Sequence, residues 1–382
     1  MADRRQIIDE APIVKTLRSL GAILLGKTNM HELGFGTTGV NTTWGTPVNP
    51  WGKDRYPGGS SSGSGAAVGA GLCPFSIGSD AGGSIRNPSS WNGCVGLLPT
   101  MGRVPEEGAI SISPSLSRFG PIAGCVEDAM ILYSLMADGN APELNPINIP
   151  KLIPGPSPLK GLRIGVFWEW FNDASEEVVV GCKKAIESMQ DMGAQVKPIR
   201  IPELDLCRVA HAITVSTEIS SAVGPSLYSK SIRKKIDKDV MLNLKASMSM
   251  RSTEYVQAQR VRRRMALHWK RIMRDIDVVA TPTTPTTAQK YSQTSLSGES
   301  SLRRTSEMMR FVLPANFLGL PAMAVPVGKD CEGLPISLQL IGKHCTEATL
   351  LRAAYHLETD LDKNSLGCKD PKICINLFKS AQ

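Results

Sequence analysis

Between Tyr56 and Val104 the chain is dominated by glycine and serine: "YPGGSSSGSGAAVGAGLCPFSIGSDAGGSIRNPSSWNGCVGLLPTMGRV". A flexible linker of these residues would be uniformly polar. Here Val68, Leu72, Phe75, Ile77, Ile85 and Val95 are threaded through the run, so it reads as packed protein. Small residues at this density let one backbone approach another and leave amide N–H groups uncovered. Within the run, "GSDAGGSIRNP" (78–88) places Ser84 directly behind Gly82 and Gly83, with Asp80 and Ala81 before them and Arg86 after. Several N–H groups can converge on one oxygen in such a turn, as in an anion nest or oxyanion hole. A serine there reads as a nucleophile, and a serine hydroxyl is a poor one until some group takes its proton.

The remaining composition narrows the partners. Of the 382 residues, 42% are hydrophobic and 20% charged, which suits a globular protein with a sizeable core. The net charge of +8 allows attraction to anionic surfaces. However, the basic residues are scattered, apart from Arg262, Arg263, Arg264, Lys270, Arg271 and Arg274 in one helical stretch that reads as a solvated face. With only 5% aromatics the chain lacks base-stacking surfaces, so no nucleic-acid partner is expected. Nine cysteines without C-x-x-C spacing read as free thiols in a reducing compartment. The start, "MADRRQIIDEAP", has no apolar core of a secretory signal, and Pro314, Pro321 and Pro326 break the uncharged stretch 311–328. The expectation is an intracellular chain, cytoplasmic or peripheral on the endoplasmic reticulum or plasma membrane.

Hydrophobic periodicity alternates strands with helices. A helix capped by Asp9 carries Ile13, Leu17 and Leu20, and "AILLGK" (22–27) reads as a buried strand. Helices follow at 62–72 and 127–137, with a short strand near Pro74–Ile77 between them and a turn-rich stretch to Gly108. Residues 141–160 are a proline-rich connection. "LRIGVFW", the helix "SEEVVVGCKKAIESMQDMG" and "QVKPIRI" continue the alternation into a helical region from about 204 to 275. "DVVATPT" then runs into "TPTTPTTAQKYSQTSLSGESS", the segment expected to be most mobile. Another helix, a strand, the strand "LPISLQLIG" and the helix "TEATLLRAAYHLE" close the pattern. This predicts an α/β fold in one domain over 1–360, with a C-terminal tail at 361–382.

Two motifs tempt and fail on mechanism. "GAILLGKT" (21–28) fits G-x-x-x-x-G-K-[ST], but a phosphate loop follows a strand, whereas Ala22–Leu25 is itself the apolar stretch. "GSSSG" (59–63) fits the nucleophile elbow G-x-S-x-G around Ser61, which requires a downstream acid and histidine. His31, His211, His268, His344 and His356 sit in no glycine-rich or acid-linked loop. No spacing of His, Cys, Asp and Glu fits a metal site, and Asp80, a lone acid in a glycine-rich loop, reads as holding that loop's own amides.

Taken together, the long glycine–serine run strongly resembles the amidase signature, the core of the amidase signature family of serine hydrolases. The likeness extends through "LLGKTNMHELGFGTTGVN", "SRFGPIAGCVEDA", "VVATPTTP" and "FVLPANFLGLPAMAVPVG" to "EGLPISLQLIG", in order along most of the chain. "KTNMHELGFGTTG", "GGSSSGS", "WFNDASEE" and "EYVQAQRVRRRM" are most similar to plant-type fatty acid amide hydrolases. The resemblance implies a large mixed β-sheet covered by α-helices on both faces, and a Ser–cis-Ser–Lys triad. It implies Ser84 as the nucleophile forming an acyl-enzyme, Ser60 as the cis-serine that relays protons, and the N–H groups of Ala81, Gly82, Gly83 and Ser84 as the oxyanion hole. Phe35 falls where such enzymes contact substrate. The reaction implied is hydrolysis of a carboxamide, foremost a long-chain N-acylethanolamine, to fatty acid and amine without a cofactor. A homodimer is a further expectation, as many relatives of this kind are dimeric.

One element departs from the pattern. The family's proton acceptor is a lysine upstream of the helix that begins near residue 9, on a strand with a V-K-[DE]-type motif. Lys15, Lys27 and Lys53 do not match it, so the given residues are expected to start after it. That favours, as one alternative, a catalytically impaired acyl-binding or interaction protein; a second alternative is a small-molecule amidase of the same family. Ser62 stands where glycine is usual, and Leu98 where many members have lysine.

Overall fold

Neighbouring residues on the central strands point to opposite cores. Val278, Leu97, Met323 and Leu340 pack into one apolar cluster, while Val279, Leu98, Ala322 and Ile341 pack into another. That is the period-two pattern of a sheet buried on both faces. A computed structural model describes residues 10–110, 112–137, 148–150, 155–224, 229–291, 293–296, 298 and 301–364. Eight strands form one sheet: β1 (Phe75–Asp80), β2 (Val95–Leu98), β3 (Arg118–Ala123), β4 (Arg163–Val166), β5 (Gln195–Pro198), β6 (Val278–Pro282), β7 (Ala322–Lys329) and β8 (Pro335–Gly342). Their order is β1-β3-β2-β7-β8-β6-β4-β5. β4 runs parallel to both β5 and β6, and the other neighbours are antiparallel. The sheet is therefore mixed, and the fold is α/β.

The helices Val126–Met136, Glu176–Asp191 and Glu347–Lys363 supply one face through residues such as Ala129, Ile186 and Leu350. Leu204–Val223, Ser252–Ile272 and Leu313–Phe317 supply the other through Cys207, Met265 and Ala315. Each fully buried Leu, Ile or Val contributes about 1.5–3 kcal/mol of transfer free energy. The sheet is thus the rigid platform from which the serine-bearing loops project.

Several expectations need correcting. The segment 22–27 forms no strand, and Ile23 and Leu25 are 86% and 76% exposed. An apolar run becomes a buried strand only where another strand pairs with it, and among the described residues none does. Pro12–Ser19 is helical and buries Ile13 and Leu17, but Leu20 lies beyond it and is exposed, and Asp9 lies outside the described residues. β3 crosses a stretch that shows no periodic signal, because Gly120 and Pro121 interrupt its alternation. The threonine-rich start of the segment expected to be mobile is packed: Thr283 and Thr284 are buried, Thr283 N–H donates to Ser337 O at 2.9 Å, and Tyr56 N–H donates to Gln289 O at 2.9 Å. The last helix runs to Lys363, past the expected tail boundary at 361, and residues 365–382 lie outside the described ones, as does most of 138–154. In the basic helix Ser252–Ile272, Arg263, Arg264, Lys270 and Arg271 face solvent, as does Arg274 just beyond its end, whereas Arg262 turns in to Ser115 O at 2.9 Å. Among the described residues no helix is long and apolar enough to cross a membrane.

Candidate active site

Two loops bring the serines together. Ser60 precedes the helix Ser62–Gly69, its peptide bond to Gly59 is cis, and its side chain is buried. Its carbonyl accepts from His31 N–H at 3.0 Å and Ser62 N–H at 2.9 Å. A Cβ on Gly59 would stand 2.6 Å from Gly36 O, so only glycine lets the 31–39 loop lie directly over this turn. Ser84 stands between β1 and the helix Arg86–Asn92 and is half-buried. Ser61 N–H donates to Ser84 O at 3.2 Å and locks the two loops together. The Ser61 hydroxyl accepts from Ser79 N–H at 3.1 Å and donates to Ser79 O at 3.2 Å. Ser61 is therefore a stitch between loop and strand, which removes the nucleophile-elbow reading. Neither Ser60 Oγ nor Ser84 Oγ has a hydrogen bond among the described residues.

The loop carrying Ser84 is built around Asp80. Its Oδ1 accepts from Gly83 N–H at 2.6 Å, and its Oδ2 accepts from Ile85 N–H at 3.1 Å. Arg86 meets both oxygens, Nε to Oδ2 at 3.0 Å and Nη2 to Oδ1 at 3.1 Å, with both side chains 0% exposed. The same guanidinium donates to Gln339 Oε1 at 2.6 Å, Val312 O at 2.9 Å and Asn316 Oδ1 at 2.5 Å. Burial pushes the Asp80 carboxyl up, but the Arg86 charge and hydrogen bonds, with those of Gly83 and Asn316, prevail and hold it well below the usual carboxylate range.

This corrects one of the four amides named from the resemblance. Gly83 N–H belongs to Asp80 and is not free to meet a substrate oxygen. The N–H groups of Ala81, Gly82 and Ser84 have no acceptor among the described residues. A side chain at position 83 would meet Val312 Cγ2 at 2.6 Å and would have to adopt φ +107°. Glycine is required there to hold the turn, and its amide is taken up by Asp80 within that turn.

Sequence reasoning missed His211. It lies on the helix Leu204–Val223, is buried, and its Nε2 is 2.8 Å from Ala81 O. Because a carbonyl only accepts, Nε2 carries the hydrogen. Asn316 and Gln339, which hold Asp80 and Arg86, were missed too. All three contact the loop across more than a hundred residues of sequence, where no local pattern reports them.

Phe35 is half-buried, in the 31–39 loop that lies over the Gly59–Ser60 turn. A Cβ on its neighbour Gly34 would come within 3.7 Å of Ser60 Oγ. Leu33, Phe35 and Ile112 pack against Ile219, Val223, Ile236, Val240 and Leu244, an apolar cluster adjoining Ser60. Lys15, Lys27 and Lys53 are exposed, and among the described residues no lysine is hydrogen-bonded to Ser60 or Ser84. A cavity of about 290 Å³ opens among Asp173, Pro285, Thr286, Arg304 and Arg310, and none of Ser60, Ser84 or Phe35 lines it. Among the described residues no group of three or more His, Cys, Asp or Glu could hold a metal ion.

The site contains two neutral histidines. Burial pushes both His31 and His211 down to about 4, with Asp237 partly opposing at His31 and the Ala81 hydrogen bond and Asp80 at His211. The unfolded chain protonates them near 6.5, so between about 6.5 and about 4 it binds protons that the folded chain does not. Stability is therefore full above pH 6.5 and falls as the pH drops toward 4, by up to about 3 kcal/mol per histidine. Thermal melts between pH 8 and 4.5 should show that decline, and His31→Asn should make it shallower. An unchanged slope in that variant would mean His31 is not held neutral by burial.

Comparison with known proteins accords with this geometry. The amidase family profile matches residues 5–351. The chain is similar to the fatty acid amide hydrolase of Medicago truncatula, 42% identical over 94% of this chain and 60% of that protein. It is also similar to the fatty acid amide hydrolase of Arabidopsis thaliana, at 40% over 93% and 60%. It thus spans 60% of the length of these relatives. A glutamyl-tRNA(Gln) amidotransferase subunit of Methanospirillum hungatei is 35% identical over 91% of the chain and 85% of its own length. Among solved structures, the corresponding subunit from Thermotoga maritima superposes with a TM-score of 0.78, at 29% identity over 92% of this chain and 77% of that one. On its sequence, its sheet and the matched span, the chain belongs to the amidase family.

Proposed function

We propose that the chain hydrolyses carboxamides of long-chain fatty acids, N-acylethanolamines foremost, to fatty acid and amine through an acyl-enzyme on Ser84. The observation that carries this reading is the placement of three uncommitted N–H groups, on Ala81, Gly82 and Ser84, in the loop that bears a half-buried serine. In this mechanism Ser84 Oγ attacks the amide carbonyl carbon while its proton passes to Ser60 Oγ, which gives up its own hydroxyl proton to the base. The carbonyl oxygen becomes an oxyanion that accepts hydrogen bonds from the three amides, each worth about 3–4 kcal/mol in the transition state. Collapse breaks the C–N bond, and the proton returns through Ser60 to the leaving amine. Water then cleaves the Ser84 ester. The family resemblance assigns the final proton acceptor to a lysine outside the positions matched here.

The lipid substrate is supported by the fatty acid amide hydrolase relatives and by the apolar cluster of Leu33, Phe35 and Ile112 beside Ser60. Each methylene buried there stabilises by about 0.8 kcal/mol, roughly fourfold in affinity. Rates with N-acylethanolamines of two to twelve carbons should therefore climb steeply with chain length, and Phe35→Ala should flatten the climb. A flat series in the parent chain would favour a small-molecule amidase instead. Lipid amides partition into bilayers, so the same reading brings the chain to a membrane surface inside the cell. A second reading, acyl binding with little turnover, is favoured by the surroundings of Ser60 Oγ, where among the described residues no lysine or histidine is hydrogen-bonded. Saturable binding of an N-acylethanolamine without release of ethanolamine would establish it.

A further inference from the structure

The carbonyls of the Ser84 loop are held from outside it. Asp80 O accepts from Asn316 Nδ2 at 2.9 Å, Ala81 O from His211 Nε2 at 2.8 Å, Gly83 O from Asn87 N–H at 2.7 Å and Ser84 O from Ser61 N–H at 3.2 Å. A trans peptide unit is planar, and its C=O and N–H point in opposite directions. Among the described residues the only cis bond is Gly59–Ser60, so the units from 80 to 85 are trans. Anchoring a carbonyl therefore aims the next residue's N–H. Asn316 aims Ala81 N–H, His211 aims Gly82 N–H, and the start of the Arg86–Asn92 helix aims Ser84 N–H. Ser61 aims Ile85 N–H in the same way, and that group donates to Asp80 Oδ2, whereas the aimed N–H groups of Ala81, Gly82 and Ser84 have no acceptor among the described residues.

We propose that His211 is a positioning residue, whose Nε2–H on Ala81 O directs the Gly82 N–H at the substrate's carbonyl oxygen. This rests on the reading of Ser84 as nucleophile. The Ala81–Gly82 unit needs such a clamp because glycine imposes little steric preference on the adjoining torsions, and a second glycine follows. Packing supports the clamp: a Cβ on Gly82 would meet Met309 Cε at 2.5 Å and His211 Cε1 at 3.1 Å. The ring is held in turn, lying 6.2 Å from the Phe317 ring centroid in an edge-on arrangement. His211 does not serve as a general base through Nε2, because the hydrogen on that nitrogen is given to Ala81 O.

The test uses His211→Leu, which removes the donor while filling the space, and His211→Gln, whose side-chain amide can donate from a similar position. Ala-Gly pairs occur only at 70–71, 81–82 and 123–124. Labelling alanine carbonyls with ¹³C and glycine amides with ¹⁵N therefore gives three carbonyl–amide correlations. The Ala81 carbonyl and Gly82 amide signals should move in His211→Leu, with the other two pairs in place, and return toward the parent's positions in His211→Gln. On an amide substrate kcat should fall about ten- to a hundredfold in His211→Leu, with KM within about threefold, because aim matters only to the developing oxyanion. His211→Gln should recover most of that loss. If His211→Leu leaves both signals and kcat as in the parent, the proposal is wrong. If the parent cleaves no amide, the functional reading fails, and the two signals alone decide whether His211 orients the peptide.

Discussion

Ser84→Ala is expected to lower the rate of amide cleavage by at least about a thousandfold, since deleting a serine nucleophile leaves only binding and oxyanion stabilisation. The melting temperature should stay within a degree or two. Ser84 Oγ has no hydrogen-bond partner among the described residues, and the residue is half-buried, so removing it strands no other group. Ser61→Ala should behave in the opposite way. It takes the acceptor from Ser79 N–H and the donor from Ser79 O, leaving β1 backbone groups unpaired at a cost of about 1–3 kcal/mol. Progress curves and urea unfolding of the two variants separate the roles. Activity retained in Ser84→Ala and lost in Ser61→Ala, with unchanged stability, would move the nucleophile to Ser61.

The second large effect concerns the ion pair beneath the loop. Arg86→Met should destabilise the fold by about 3–5 kcal/mol, the usual result of leaving a buried charge without its partner. Arg86 meets both Asp80 oxygens and reaches Val312, Asn316 and Gln339, so it ties β1 to β8 and the Leu313–Phe317 helix. With the guanidinium gone, burial dominates and the Asp80 carboxyl rises. In the parent that carboxyl is depressed, so the pair's stabilisation is present above the ordinary carboxylate range and is lost as the pH falls below it. The double variant Arg86→Met/Asp80→Asn should be more stable than Arg86→Met alone. The uncompensated charge has been removed, while the side-chain amide oxygen introduced by the second substitution can still accept from Gly83 N–H. Urea midpoints of the four proteins give the coupling. Additive effects would show that Asp80 and Arg86 do not stabilise one another.

The sequence carried the chemistry of the loop further than its supports. Ser84 behind two glycines announced an exposed-amide turn, and the lone Asp80 pointed to those amides, which it does hold at Gly83 and Ile85. The amphipathic helices at 176–191 and 347–363 were legible because their apolar residues repeat at helical spacing, and the helix at 126–136 because its apolar run is free of glycine and proline. β2 and β3 were not, since four- and six-residue strands interrupted by Gly96, Gly120 and Pro121 carry too little alternation. Nor did local sequence report that 22–27 lacks a pairing strand, because pairing is a property of the partner. His211, Asn316 and Gln339 reach the loop from 130 to 253 residues away. Only the closure of the sheet and its helices brings them there, and they decide which amides stay free.

The most direct measurement is the intact mass of the chain after exposure to a long-chain p-nitrophenyl ester, with peptide mapping of the acyl group. Its leaving group departs without being protonated, so the assay isolates attack by Ser84 and stabilisation by the three amides from the later proton steps. The account predicts one acyl group, on Ser84, absent in Ser84→Ala and slowed in His211→Leu. Acylation elsewhere, or none on a folded chain, would contradict it.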